Sequence, residues 1–303
     1  MPAGRRRRGA RRPGPGPVRG RARGAAGFPP ERTDSASSVV RTGPGPYPGL
    51  RTSFAAGISQ QEAAINRLVL WNVDLTLVDV AIVTRDAFAE AFRRVTGRPL
   101  VKLTQPGGRP DSEVIFETLA LNGVQATDEH LPAFIEALAA AFTARRARLT
   151  EDGRMMPGAR DALHAVSRLD GVVQSVLTGT IKDNAICKLQ AFGLDAYMDF
   201  EVGGYGEEVY PKATLLQVAQ SRAKARYGTP FTAANTVLVG DSVRDVQAAR
   251  IGGAAMIAVA TGRSTPSELR EAGADVVLPD LANPSEVVAA VARLTAPAAP
   301  VAG

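Results

Sequence analysis

A chain of 303 residues with 45% hydrophobic content is long enough for one large domain or for a domain carrying an inserted lid. It contains no run of apolar residues long enough for a membrane-spanning helix, and its single cysteine, Cys187, excludes an intramolecular disulfide and a thiolate metal cluster. The net charge of +6 is unevenly spread: residues 1–51 hold twelve arginines with only Glu31 and Asp34, while the remaining 24 basic and 28 acidic residues leave the rest at −4. A reducing cytoplasm is the expected location, and no membrane partner is expected.

The segment 1–66 is dominated by Arg, Gly and Pro, as in RRRRGARRPGPGPVRGRARG, and has almost no periodic apolar pattern. It cannot bury enough apolar surface to offset the entropy of ordering, so it is expected to be a disordered tail. Such an arm could attract phosphate backbones, but a plain solvated tail is the preferred reading, and nucleic acid is not the expected partner. Its consecutive arginines are not followed by the apolar stretch of an export signal.

The apolar run Leu68-Val69-Leu70-Trp71 predicts a strand buried on both faces, with Asn72, Asp74 and Thr76 placed where it ends. Helical spacing of Phe88, Ala91, Phe92 and Val95 predicts a helix over Ala87 to Val95; a second is expected at about Ser112 to Asn122 and a long third from near Thr127 to Leu149. Residues 81–152 therefore read as a small helical insertion without a clear strand. From Met156 the pattern alternates. Helices are expected from Pro157-Gly158 through Leu169, over Ile181 to Phe192, from Pro211 or Lys212 to Tyr227, over Arg244 to Ile251, near Ser267 to Ala272, and from about Pro284 to Leu294. Between them lie strands at Val172 to Leu177, near Phe200 to Val202, at Thr236 to Val239, Ala255 to Val259 and Asp275 to Leu278. This alternation implies an α/β fold with a doubly wound parallel sheet, built from residues 67–80 and 153–296, with 297–303 a short disordered tail.

Ligands bind at the carboxyl ends of strands in open α/β sheets, and four such ends carry suggestive residues. The first gives Asn72, Asp74 and Thr76; the next gives Thr178 and Gly179; Lys212 follows the third, and Asp241 and Asp245 the fourth. Each alone is an ordinary turn or helix-capping residue, and Asp245 could simply favour a helix dipole. Their order and shared edge favour one site. His130, His164 and Cys187 read as helix residues rather than ligands, and Arg109, in the insertion's Gly/Pro loop, as a solvated arginine.

The stretches LVLWNVDLTLVD, VLTGT, YPKATLL and TVLVGDSVRD, in this order, resemble the four motifs of the haloacid dehalogenase-like (HAD) hydrolase superfamily. The helical insertion is similar to the cap domain of its phosphoglycolate-phosphatase-like members, and ATGRST and GADVVLPDL also look typical of such proteins. The resemblance implies a Rossmannoid core and Mg²⁺-dependent hydrolysis of a small phosphorylated metabolite through an aspartyl-phosphate. It makes Asp74 the acid/base, and Thr178, Gly179 and Lys212 the phosphoryl binders. Asp241 becomes a magnesium ligand with the Asp74 backbone carbonyl, residue 72 and Asp245 as further candidates, Asp245 alternatively orienting a neighbour. A carboxylate nucleophile divides displacement into two steps, and a cation and a lysine neutralise phosphoryl charge.

The nucleophile position, however, is Asn72. An amide lacks the charge and basicity to attack a phosphoester and is a weaker oxygen ligand for magnesium. The expectation is a site that binds phosphate esters better than it turns them over, or a non-catalytic phosphoester-binding protein on the same scaffold. Dehalogenation is less attractive because Asp241 and Asp245 look arranged for a metal, and a phosphonatase would need a cap lysine, for which only Lys102 is available.

Overall fold

The structure, a computed structural model, describes residues 66–105, 107–208 and 211–295. The Arg-rich tail and the final residues expected to be disordered lie outside them. In chain order, β1 (Arg67–Trp71) leads into β2 (Val78–Asp79), four helices α1 (Ala81–Thr96), α2 (Asp111–Leu121), α3 (His130–Ala144) and α4 (Arg146–Glu151), and a return strand β3 (Arg154–Met155). There follow α5 (Ala159–Ser167), β4 (Val172–Val176), α6 (Lys182–Ala191), α7 (Lys212–Tyr227), β5 (Thr236–Gly240), α8 (Val243–Gly252), β6 (Ala255–Val259), α9 (Pro266–Ala272), β7 (Val276–Leu278) and α10 (Pro284–Leu294).

Five strands form one parallel sheet in the order β4-β1-β5-β6-β7. The period of two in a strand sends Val69 and Trp71 into one core layer with α5 and α10, and Leu68 and Leu70 into the other with α7 and α8. Burial on both faces is why β1 reads as a continuous apolar run. The one polar atom of Trp71 is satisfied inside the core, its Nε1 donating to Gln174 Oε1 at 3.0 Å. Because the chain passes from β1 to β4 on one side and to β5 on the other, a crevice opens at the carboxyl end of β1.

The helices between β2 and β3 have their own apolar cluster, including Phe88, Phe92, Phe134, Leu138 and Phe142, which also takes in Ile181 and Cys187 of the main layer. β2 and β3 pair antiparallel, Val78 against Met155 and Asp79 against Arg154, and tie the two ends of this insertion together. Two residues per strand give too little alternation to read from sequence, so this pairing is not expected from it.

Three expectations need correction. The long helix over 127–149 is broken at Arg145, whose backbone turns to φ −106°, ψ 14°. Its guanidinium pairs with Glu90 of α1 and donates to Ala141 O, a tertiary anchor that overrides helix propensity. Phe200 to Val202 is a 3₁₀ turn instead of a strand, because Asp199 accepts from Glu201 N through its side chain while its own N–H goes to Gln174 O at 2.8 Å. Gly204 forms an isolated parallel bridge to the sheet edge, at Leu177. Helix α1 begins at Ala81, six residues before the expected start, directly behind β2.

Candidate active site

Strand β1 ends in a tight loop, Asn72 to Leu77, built on the backbone bonds Leu77 N to Val73 O at 2.9 Å and Leu75 N to Val78 O at 2.7 Å. Leu75 is the only non-glycine with positive φ among the described residues, at +63°. Such a conformation costs roughly 1–2 kcal/mol for an L-residue, and here Thr261 Oγ1 holds it by donating to Leu75 O at 2.6 Å. The loop turns Asn72, Asp74 and Thr76 into the crevice.

Asn72 is buried at the centre of this array. Its Nδ2 donates to Asp74 O and to Asp241 Oδ1, both at 2.9 Å, with Thr76 Oγ1 at 3.3 Å, and its Oδ1 accepts from Lys212 Nζ at 3.2 Å. Thr76 Oγ1 donates to Asp241 Oδ1 at 2.8 Å. Lys212 Nζ also reaches Asp245 Oδ1 at 2.5 Å, and Asp245 Oδ2 accepts from the N–H and hydroxyl of Ser242 at 3.0 and 2.7 Å. Both oxygens of Asp245 are thus committed, in a capping box at the start of α8 and in a buried ion pair, so Asp245 orients Lys212. Burial, followed by the neighbouring Asp245 charge, pushes the Asp241 carboxyl up to about 7, against the hydrogen bonds from Thr76 and Asn72 and the charge of Lys212.

Asp74 belongs to a second group. Both its oxygens meet Lys188 Nζ, at 2.8 and 2.7 Å, and Thr180 Oγ1 donates to Oδ2 at 2.8 Å. The Lys188 side chain is 2% exposed and that of Asp74 41%. Lys188 Nζ lies 5.3 Å from the centre of the Phe142 ring, so a residue of α3 covers it. Sequence reading missed Lys188 and Thr180. The available signal was position: Ile181, Ala185, Lys188 and Phe192 share one helical face, and a lysine on such an apolar face needs a counter-ion.

The insertion is docked on the same loops. Asp111, the first residue of α2, donates its N–H to Gly179 O at 2.6 Å, while its carboxylate accepts from Ile181 N at 3.1 Å. Burial pushes the Asp111 carboxyl up to about 7, with Lys188 acting in the opposite direction. Gly206 is needed here because a Cβ would lie 1.6 Å from Gly179 O. Arg109 pairs with Glu117 and is not the freely solvated side chain expected.

Together these elements enclose a cavity of about 610 Å³ lined by Asn72, Asp74, Thr178, Gly179 and Asp241 from the sheet edge, Lys188 from α6, and Arg85, Phe88, Thr104 and Phe142 among others from the insertion. Five of the seven expected site residues therefore line one cavity. Lys212 and Asp245 stand behind it: Lys212 meets it through Asn72, and Asp245 through Lys212.

The donor set does not fit magnesium as it stands. Among the described residues no three His, Cys, Asp or Glu side chains group to hold a metal ion. Asp241 Oδ1 and the Asp74 carbonyl, two oxygens the sequence resemblance offers to the ion, are taken by the Asn72 amide.

Comparison with known proteins agrees with this fold. Residues 69–250 match the family model described as haloacid dehalogenase-like hydrolase. A protein of Dickeya dadantii (strain 3937) described as probable phosphatase IndB is 30% identical over 235 residues, covering 75% of this chain and 94% of the relative. Among solved structures, a hydrolase from Pseudomonas syringae shares the fold at TM-score 0.56 and 20% identity, covering 74% of this chain and 99% of that one. A haloacid dehalogenase-like family hydrolase from Streptococcus pneumoniae does so at TM-score 0.52 and 19% identity, covering 74% and 97%. The chain belongs to the haloacid dehalogenase-like hydrolases. Among the described residues no helix is long and apolar enough to cross a membrane.

Proposed function

We propose that this chain is a HAD-fold protein of the phosphatase type, which binds the phosphoryl group of a small phosphorylated metabolite at the carboxyl end of β1, and whose turnover is held low by Asn72. The observation that carries the reading is the convergence of Asn72, Asp74, Thr178, Gly179 and Asp241 on one cavity, with Lys212 hydrogen-bonded to residue 72. The similarity to a protein described as a probable phosphatase supports the reaction class.

In this reading the phosphoryl oxygens are held by the Thr178 hydroxyl and nearby backbone N–H groups, with the Lys212 charge acting from behind residue 72. Asp74, with Lys188 and Thr180 fixing both oxygens, is oriented to serve the leaving oxygen as acid/base. The helical insertion acts as a cap, since Phe142, Phe88 and Arg85 close the cavity over the site and limit bulk water. The missing element is the nucleophile. The Asn72 oxygen carries no charge and already accepts from Lys212, so attack on phosphorus by this chain is expected to be at least about 10³-fold slower than by a carboxylate.

Asn72 also favours a second reading, a non-catalytic phosphoester-binding protein. Both predict saturable binding of small phosphate esters, measurable by calorimetry on the unaltered full-length chain, lost when Thr178 is changed to Val. Absence of binding across a broad ester panel and with inorganic phosphate would remove both.

A further inference from the structure

We propose that in this chain the Asn72 amide stands in for the divalent cation: its NH₂ group bridges the oxygens that the cation would otherwise bind, and the site is organised without a metal. The NH₂ group has two hydrogens, and Asp74 O and Asp241 Oδ1 both lie 2.9 Å away. Thr76 Oγ1, at 3.3 Å, gives its own proton to Asp241 at 2.8 Å. Asp241 therefore gains two hydrogen-bond donors where a cation would neutralise it.

An amide can be turned over, and turned over it would present its oxygen to this place. Lys212 decides between the two orientations. Its ammonium lies 3.2 Å from Asn72 Oδ1, so turning the amide would set NH₂ against ammonium on one side and oxygen against the Asp241 carboxylate on the other. Lys212 has no free room to withdraw, because it is buried and paired with the fully buried Asp245. A carboxylate at position 72 has an oxygen for each side, one for Lys212 and one for a cation. An amide has one oxygen, and Lys212 takes it.

Charge points the same way. With Asn72 the buried group of Asp241, Asp245 and Lys212 carries a single excess negative charge when its members are ionised; aspartate at position 72 would add a second and leave a place for a divalent ion. The inference concerns the metal arm alone. It rests on the proposed phosphoryl site only in expecting that anion binding by the unaltered chain needs no magnesium.

The test is calorimetric titration of Mg²⁺ into three full-length proteins: the unaltered chain, Asn72→Asp and Asn72→Ala. The aspartate variant is expected to bind at least about tenfold tighter than the unaltered chain. The alanine variant is expected to bind no more weakly than the unaltered chain, because it removes the bridging amide. Were Asn72 a magnesium ligand, alanine would weaken binding, and that result, or equal affinities for the unaltered chain and the Asn72→Asp variant, would overturn the proposal. If the aspartate variant does not fold without metal, the alanine comparison decides alone. A failure of the phosphoester reading shows separately, as absence of inorganic phosphate binding by all three proteins, and leaves the metal result legible.

Discussion

Two buried lysines at the site do different work, and the difference is measurable. Lys212 faces Asp245, which is fully buried, whereas Lys188 faces Asp74, whose side chain is 41% exposed. Removing Lys212 strands a charge with no access to water, and Lys212→Met is expected to cost about 3–5 kcal/mol in urea unfolding. Removing Lys188 leaves Asp74 hydrated, so Lys188→Met is expected to change stability by less than about 1 kcal/mol. Equal losses for the two variants would contradict this assignment. Lys212 was legible in the sequence because it lies in a recognisable motif, YPKATLL, at the start of a helix. Lys188 was not, because its importance comes from the fold bringing α6 against the loop after β1, and nothing local marks it beyond its place on an apolar helix face.

At the scale of elements, the start of α2 is fastened to the loop after β4 through Asp111, whose carboxyl is raised from 3.8 to about 7. The folded protein therefore keeps a proton on Asp111 between about pH 4 and pH 7 that the unfolded chain has released. Stability is expected to fall as pH rises through this window and to level off above it, where both states are ionised. Asp241, raised in the same direction, adds to the slope. Asp111→Asn keeps an oxygen for Ile181 N and removes one titration, so its stability profile between pH 4 and 7, followed by thermal melts, should be flatter than that of the unaltered chain; an unchanged slope would show that Asp111 titrates normally. The elements themselves were largely legible: β6 and α10 lie where the apolar pattern puts them. Two of the misplaced ones share a kind of cause. Arg145 breaks a helix through a pair with the distant Glu90, and the Asp199 side chain folds Phe200 to Val202 into a turn by accepting from Glu201 N while the Asp199 N–H donates to Gln174 O, so particular side-chain contacts outweigh the apolar pattern.

At the scale of the whole molecule, the function follows from the sheet order, which puts the end of β1 between β4 and β5 and gathers three motif segments at one crevice beneath the helical insertion. The fold and many of the residues at that edge, though not Thr180 or Lys188, were legible because buried parallel strands and their polar ends leave strong local patterns. How the site is wired was not: that Asn72 faces Asp241 with its nitrogen, and Lys212 with its oxygen, is decided by side chains 169 and 140 residues away. The central claim is that a phosphatase-type site is present whose turnover is held back by residue 72 alone. Its most direct test is the rate of phosphate release from a panel of small phosphoesters, with magnesium, by Asn72→Asp beside the unaltered chain whose mass confirms Asn72. The account predicts turnover by the aspartate variant at least about 10³-fold above the unaltered chain, abolished by adding Asp74→Ala. An aspartate variant as inert as the unaltered chain, or an unaltered chain that already turns over as fast, would contradict it.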